Sequence, residues 1–240
     1  MTDKYIKINT LWKRNMEKGE NKGKIIEGEY SRPEFKNIKL WKVSEKIHGA
    51  NTRIMYHIDP VSGEGIVSFG GKTDDAQMPV KLFEYLQKTF TKEKIEKALM
   101  FKDELPQKAT LYAEGYGARI QKGGGRYRDD VSVILFDAFI DGWWLDQDNV
   151  TDIAQKLGID RVPDLGVMTE EEIIDLVKNK QPISKIAKDK TYVAEGIVAR
   201  SYPLMLFRDG TPIMFKLKVV DFKGSEINEN QNKSTKKELF

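Results

Sequence analysis

Apolar and polar residues alternate with a period of two over several stretches of this chain and recur at helical spacing over others. Trp41-Lys42-Val43 and Thr52-Arg53-Ile54-Met55 predict strands on either side of the loop Glu45-Lys46-Ile47-His48-Gly49-Ala50-Asn51. Gly65-Ile66-Val67-Ser68-Phe69-Gly70-Gly71-Lys72 predicts another strand, ending in a glycine pair. From Pro79 to Met100, Leu82, Leu86 and Phe90, with Tyr85, fall at helical spacing and predict one amphipathic helix or two. Strands follow over residues 110–114 and 131–140. The second is nearly continuous in apolar residues (Val133, Ile134, Leu135, Phe136), the pattern of a strand covered on both faces. Residues 151–157 and 169–178 read as helices, with Gly158 as a C-terminal stop and Thr169 and Glu172 as a capping box. Two last strands, over 192–200 and 212–219, are joined by a turn at Arg208-Asp209-Gly210. Residues 224–240 are polar and charged and are expected to form a flexible tail.

No repeat and no linker divides the chain. Strand-rich segments interrupted by helices, without regular βαβ alternation, predict an α+β domain with antiparallel sheets. At 240 residues the chain is long enough to bury a substantial core. No apolar run approaches the ~18 residues of a membrane span, and Met1-Thr2-Asp3-Lys4 does not open a signal peptide, so a cytoplasmic protein without a membrane partner is expected. The absence of cysteine excludes disulfides, thiolate zinc sites and a cysteine nucleophile, and suits a reducing compartment. His48 and His57 are the only histidines, so any metal would be a hard ion such as magnesium, bound by carboxylate and phosphate. The net charge is only +3, but basic residues cluster over 13–24, 119–128 and 233–237, which is compatible with a polyanion surface or with solvated faces.

Five short segments carry candidate chemistry. Lys46, in its loop between strands, becomes a nucleophile if nearby cations or burial favour its neutral amine; alone, it reads as a surface lysine in a turn. In Leu111-Tyr112-Ala113-Glu114-Gly115-Tyr116-Gly117 a strand ends in a carboxylate followed by glycines, where Glu114 could accept hydrogen bonds from ribose hydroxyls. Phe136, before Asp137, is either core or a stacking platform for a base, the latter worth roughly 1–3 kcal/mol. Glu195 opens the strand-like Gly196-Ile197-Val198-Ala199-Arg200 and can hold a metal-bound water near a phosphate, or face solvent. In Met214-Phe215-Lys216-Leu217-Lys218, alternation places both lysines on one face, where their repulsion suits a polyphosphate.

In this order the segments resemble the covalent nucleotidyltransferase superfamily of ATP-dependent ligases and capping enzymes. Lys46-Ile47-His48-Gly49-Ala50-Asn51 is most similar to the RNA ligase branch, in which histidine replaces an aspartate, and the likeness extends to the catalytic domain of phage double-strand-type RNA ligases. Phe69-Gly70-Gly71-Lys72-Thr73 stands where the family carries a second short motif; Lys72 takes a basic position usually held by arginine. No P-loop is present.

The resemblance implies an adenylyltransferase domain of the ATP-dependent ligase fold over residues 1–223, with antiparallel sheets flanked by helices and the ATP site between them. It implies ATP as co-substrate with Mg2+ or Mn2+, attack of Lys46 on the α-phosphate, a lysyl-AMP intermediate, transfer of AMP to an RNA 5′-phosphate, and sealing by a 3′-hydroxyl. Glu195 is then the water-mediated metal ligand, and Lys216 and Lys218 bind phosphates. Glu114 takes the ribose and Phe136 the adenine. Glu45 and Ile47 read the adenine edge, Asn51 contacts the ribose or α-phosphate, and His48 the α-phosphate or leaving group. Only 22 residues follow Lys218, too few for an OB-fold domain, so RNA ends (a nicked duplex among them) would be gripped by the domain itself as a monomer, through Arg119, Lys122, Arg126 and Arg128. Three alternatives remain: a polynucleotide 5′-adenylyltransferase, a DNA-sealing ligase, and a non-catalytic nucleic-acid-binding relative.

Overall fold

The computed structural model describes residues 4–222; the polar tail expected over 224–240 lies outside the described residues. Two sheets form its framework. In the first, strands lie in the order Asn9–Thr10, Met214–Lys218, Gly196–Ser201, Trp41–Lys46 and Asp164–Met168, antiparallel except for the first pair. In the second the order is Asp160–Arg161, Val131–Ile140, Lys108–Gly117, Ala50–Ile58 and Gly65–Gly70, and Trp143–Trp144 folds back on Val131–Ile140. The α+β class with antiparallel sheets is thus the observed one. A hairpin of Trp12–Arg14 and Ile25–Tyr30, which the hydrophobic pattern does not announce, stands apart.

Each sheet has its own core. Helices Val80–Thr89, Lys92–Leu99 and Gln147–Leu157 cover the second sheet, where Leu82, Leu86, Ile95, Ile153 and Leu157 pack on Ile54, Leu111, Val133 and Leu135. The 79–100 region is therefore two helices, the second capped by Thr91, whose hydroxyl accepts the Lys94 N–H. The first sheet buries Trp41, Val43, Ile197, Ala199, Phe215 and Leu217 against Phe35, Ile173 and Val177. The capping box of Thr169 and Glu172 is formed, and Gly158 takes the left-handed conformation that ends its helix. Some boundaries differ from expectation. The 151–157 helix starts at Gln147 because Asp146 caps it, and the strand expected from residue 192 begins at Gly196, since Val193 makes only an isolated bridge to Ile183.

The strands that flank the lysine loop do not pair with each other. Trp41–Lys46 belongs to the first sheet and Ala50–Ile58 to the second, so the chain crosses between sheets at Ile47-His48-Gly49. Lys46 is the last residue of its strand rather than part of the loop. Gly49 permits the crossing: a Cβ there would stand 2.2 Å from the Gly115 carbonyl oxygen and 2.8 Å from Glu114 Cγ. The contact is with backbone, so relief requires moving the 108–117 strand. Gly49→Ala is expected to lower stability by about 1–3 kcal/mol, read as a drop in melting temperature; an unchanged melting temperature would contradict this close approach.

Candidate active site

Strand alternation builds one wall of a cavity between the two sheets. Along Trp41–Lys46 the residues Trp41 and Val43 are buried in the core, which turns Lys42, Ser44 and Lys46 to the other face. Register then sets three cross-strand rows: Lys46 with Gly196 and Lys218, Ser44 with Val198 and Lys216, and Lys42 with Arg200 and Met214. The facing wall comes from the second sheet, through Asn51, Glu114, Phe136 and Arg161. The space between is about 500 Å³, and Tyr5, Ile6, Lys7 and Ile8 also line it.

At one end, a single carboxylate gathers the cations. Lys46 Nζ donates to Glu195 Oε2 at 2.7 Å and Lys218 Nζ lies 2.6 Å from Oε1, so each ammonium has its own oxygen. His48 Nδ1 stands 3.7 Å from Glu195 Oε2. Gly196 makes this meeting of strands possible, because a Cβ there would approach the Leu217 carbonyl oxygen to 2.0 Å. Burial pushes the Glu195 carboxyl up, but Lys46 and Lys218 outweigh it and hold it below its ordinary value. Lys216 is lowered by burial first and then by Lys46, Lys218, Lys72 and Arg14. Arg14 is paired with Asp221 at 2.7 Å, which leaves Lys46, Lys72, Lys216 and Lys218 around Glu195 and Glu114, an excess of positive charge that suits an anion.

The other expected residues fall into place around this end. Lys72 lines the cavity, and its loop is held by the buried Arg53, which donates to the Gly71 carbonyl at 2.7 Å and to Asp74 at 2.9 Å. Phe136 presents its ring to the cavity with Tyr5 packed edge-on at 5.0 Å. Asn51 Oδ1 is buried and has no hydrogen-bond partner among the described residues. Ile47 lines the cavity and packs with Tyr127, Ile134 and Val162. Glu45 is more anchored than expected: its Oε2 accepts the Lys185 N–H at 2.8 Å, leaving Oε1 buried and unpartnered. No group of three His, Cys, Asp or Glu side chains suited to a metal occurs among the described residues; Glu195 and Glu114 are the carboxylates near the lysine cluster.

The four residues expected to bind RNA separate into two kinds. Arg119 and Lys122 are exposed in a loop tied to the lysine loop, where Gln121 Nε2 donates to the Gly49 carbonyl at 3.2 Å. Arg126 instead pairs with Asp189 at 2.7 Å and lies over the Tyr192 ring, and Arg128 grips Asp130 with two nitrogens. Sequence reading also missed residues that line the cavity. Lys42, Ser44, Val198 and Arg200 were accessible from alternation outward from Lys46 and Glu195; Tyr5, Gln147 and Arg161 carried no such signal.

Glu114 supplies a test of the electrostatics. Burial raises its carboxyl to about 7; Lys46 pulls it down and Glu195 pushes it further up. A carboxyl raised in the folded state favours folding fully below its unfolded value, near 4.5, and that contribution is lost as pH climbs through about 7. Glu114→Gln, which cannot ionise, is expected to show a smaller loss of melting temperature than the parent between pH 5 and 8 without nucleotide. Parallel losses in the two proteins would refute the raised carboxyl.

The family profile described as RNA ligase matches residues 39–218. Among solved structures, a Naegleria gruberi RNA ligase mutant with ATP and Mn matches with a TM-score of 0.55 at 17% identity, over 78% of this chain and 51% of that one. A mutant apo form of that ligase matches with a TM-score of 0.56 at 18% identity, over 81% and 54% of the two chains. The same ligase with PPi matches with a TM-score of 0.54 at 17% identity, over 83% and 55%. At these identities the likeness is one of fold, and the chain spans about half the length of those ligases. No curated protein matches the chain. No helix among the described residues is long and apolar enough to cross a membrane.

Proposed function

The chain belongs to the RNA ligase family, and from that premise we propose that it is an ATP-dependent RNA ligase whose residues 1–223 form an adenylyltransferase domain with the nucleotide bound between the two sheets. The observation that carries the reading is the Lys46–Glu195–Lys218 bridge at one end of a cavity that also exposes Phe136 and Glu114. An amine held beside a cluster of cations, with an aromatic face and a carboxylate further along, matches the order of parts in a nucleoside triphosphate: phosphates, ribose, base. The ATP and Mn in the related Naegleria ligase support the same pairing here.

In the proposed reaction the adenine stacks on Phe136, the ribose faces Glu114 and Asn51, and the phosphates lie among Lys46, Lys72, Lys216 and Lys218, with His48 beside them. Lys46 Nζ, with its amine in the neutral form after losing a proton to water and oriented by Glu195, attacks the α-phosphorus. A P–N bond forms, the bond from the α-phosphorus to the bridging oxygen breaks, and pyrophosphate leaves with the electron pair. The protein contributes placement and charge neutralisation, the main sources of catalysis in phosphoryl transfer. A divalent ion held through water at Glu195 would offset charge on the phosphates. Lys216 and Lys218 keep their protons and serve as cations.

AMP then passes to the 5′-phosphate of an RNA end, and the 3′-hydroxyl of its neighbour displaces it to close the phosphodiester. Arg119 and Lys122 are the proposed backbone contacts for that RNA, since they are exposed beside the lysine loop. Arg126 and Arg128 shape the same loop through Asp189 and Asp130.

With magnesium and ATP labelled at the α-phosphate, the protein is expected to acquire a covalent label. Lys46→Ala should abolish it and Glu195→Ala reduce it by about 100-fold, on the scale of losing a group aimed at transition-state charge. Label that persists in Lys46→Ala would refute the assignment. With sealing assays on RNA and DNA ends, Arg119→Ala combined with Lys122→Ala is expected to impair joining while leaving self-labelling intact; equal loss of both steps would argue against an RNA contact.

A further inference from the structure

The backbone that carries the chain from one sheet to the other lies outside both strand ladders. Pairing in the first sheet ends at Lys46 opposite Gly196, and pairing in the second begins at Ala50 opposite Gly115. Ile47, His48 and Gly49 fall between, yet their course sets where the Lys46 and His48 side chains point. Two side chains of one loop hold them instead. The Tyr127 hydroxyl oxygen accepts the His48 N–H at 3.2 Å, and Gln121 Nε2 donates to the Gly49 carbonyl at 3.2 Å.

Tyr127 is firmly anchored. It is 2% exposed, packs with Ile47, and meets the rings of Tyr116 at 5.9 Å and Tyr192 at 4.9 Å edge to face. Arg126 covers the Tyr192 ring at 4.3 Å while pairing with Asp189. The Lys188 N–H donates to the Tyr127 carbonyl at 3.0 Å and the Asp189 N–H to the Arg126 carbonyl at 3.2 Å. The tyrosine is thus tied, through ring and backbone, to the segment that runs past Tyr192 to Glu195. On its other side it holds the loop behind Lys46. These are the two sides of the 2.7 Å bond between Lys46 and Glu195.

We propose that Tyr127 is a positioning residue for the nucleophile: through the His48 N–H it sets the aim of Lys46, and of the His48 ring 3.7 Å from Glu195. The inference rests on the lysyl-AMP reading given above and names a residue that keeps its attacking amine in line. Tyr127 does not itself line the cavity, so it acts without touching the nucleotide. The hydroxyl is needed for a physical reason. A half-buried N–H that loses its acceptor shifts toward whatever oxygen or water it can reach. Movement at His48 carries Lys46, two residues earlier, off the line of attack, and misplacement by about 1 Å can slow a positioned reaction about 100-fold. The base and ribose contacts come from other elements, so the loss falls on the rate more than on ATP affinity.

The experiment compares Tyr127→Phe, which removes only the oxygen, with Tyr116→Phe in the full chain. The second variant removes the hydroxyl of the neighbouring ring, which lies 3.4 Å from Arg128 Nη1 and does not bond the lysine loop. Both variants are expected to melt within about 4 °C of the parent. With magnesium and α-labelled ATP, Tyr127→Phe should acquire label about 10- to 100-fold more slowly at saturating ATP, with KM for ATP within about threefold of the parent. Tyr116→Phe should label at the parental rate. Parental labelling by Tyr127→Phe, or equal slowing in both variants, would overturn this inference and leave the lysyl-AMP reading standing. A second measurement needs neither the variants nor activity: in the parent without nucleotide, the His48 amide hydrogen is expected to exchange at least about 10-fold more slowly than in an unstructured peptide. An unprotected His48 amide would overturn the inference even if Tyr127→Phe failed to fold. Absence of label on the parent would overturn the lysyl-AMP reading and this inference with it.

Discussion

One carboxylate holds the lysine-rich end of the cavity together. Lys46 and Lys218 come from two strands that do not touch each other directly, and Gly196–Ser201 lies between them. Without Glu195 at the head of that central strand, two ammonium groups and the nearby Lys216 and Lys72 would face one another across a half-buried space. Burial first, and then repulsion from its cationic neighbours, lowers Lys216. The site is therefore under electrostatic tension that a polyanion would relieve.

The geometry around that carboxylate depends on two places where backbone approaches backbone. At Gly196 the strand draws close to Leu217, and at Gly49 the chain passes against Gly115 as it leaves one sheet for the other. Both leave no room for a side chain. The crossing at Gly49 explains why Lys46 sits at the edge of a cavity: it ends a strand of one sheet while Asn51, two residues past the glycine, already belongs to the other. Separate cores behind each sheet keep the walls rigid, so the space between them is not filled by collapse.

Much of this was legible along the chain wherever a local rule applied. Alternation in Met214-Phe215-Lys216-Leu217-Lys218 put the lysines on one face, and Phe215 and Leu217 are indeed fully buried. The continuous run Val133-Ile134-Leu135 is covered on both faces, and the Thr169–Glu172 box caps its helix. Less was legible where side chains choose among distant partners. Arg126 and Arg128 read as free basic residues, yet Asp189 and Asp130 engage them. The short Trp12–Arg14 strand and its partner escaped notice because a few residues carry no measurable period.

By itself the sequence determined the strand faces, the helix ends and the order along the chain of Lys46, the carboxylates, Phe136 and the paired lysines, because each depends on spacing within a few residues. Only the tertiary structure decided that Lys46 and Glu195, 149 positions apart, share a hydrogen bond, and that Tyr5, Asp137 and Arg200 form one buried network. Contacts of that kind are set by sheet order and register. These follow from how two cores pack as a whole, which no local pattern of residues encodes.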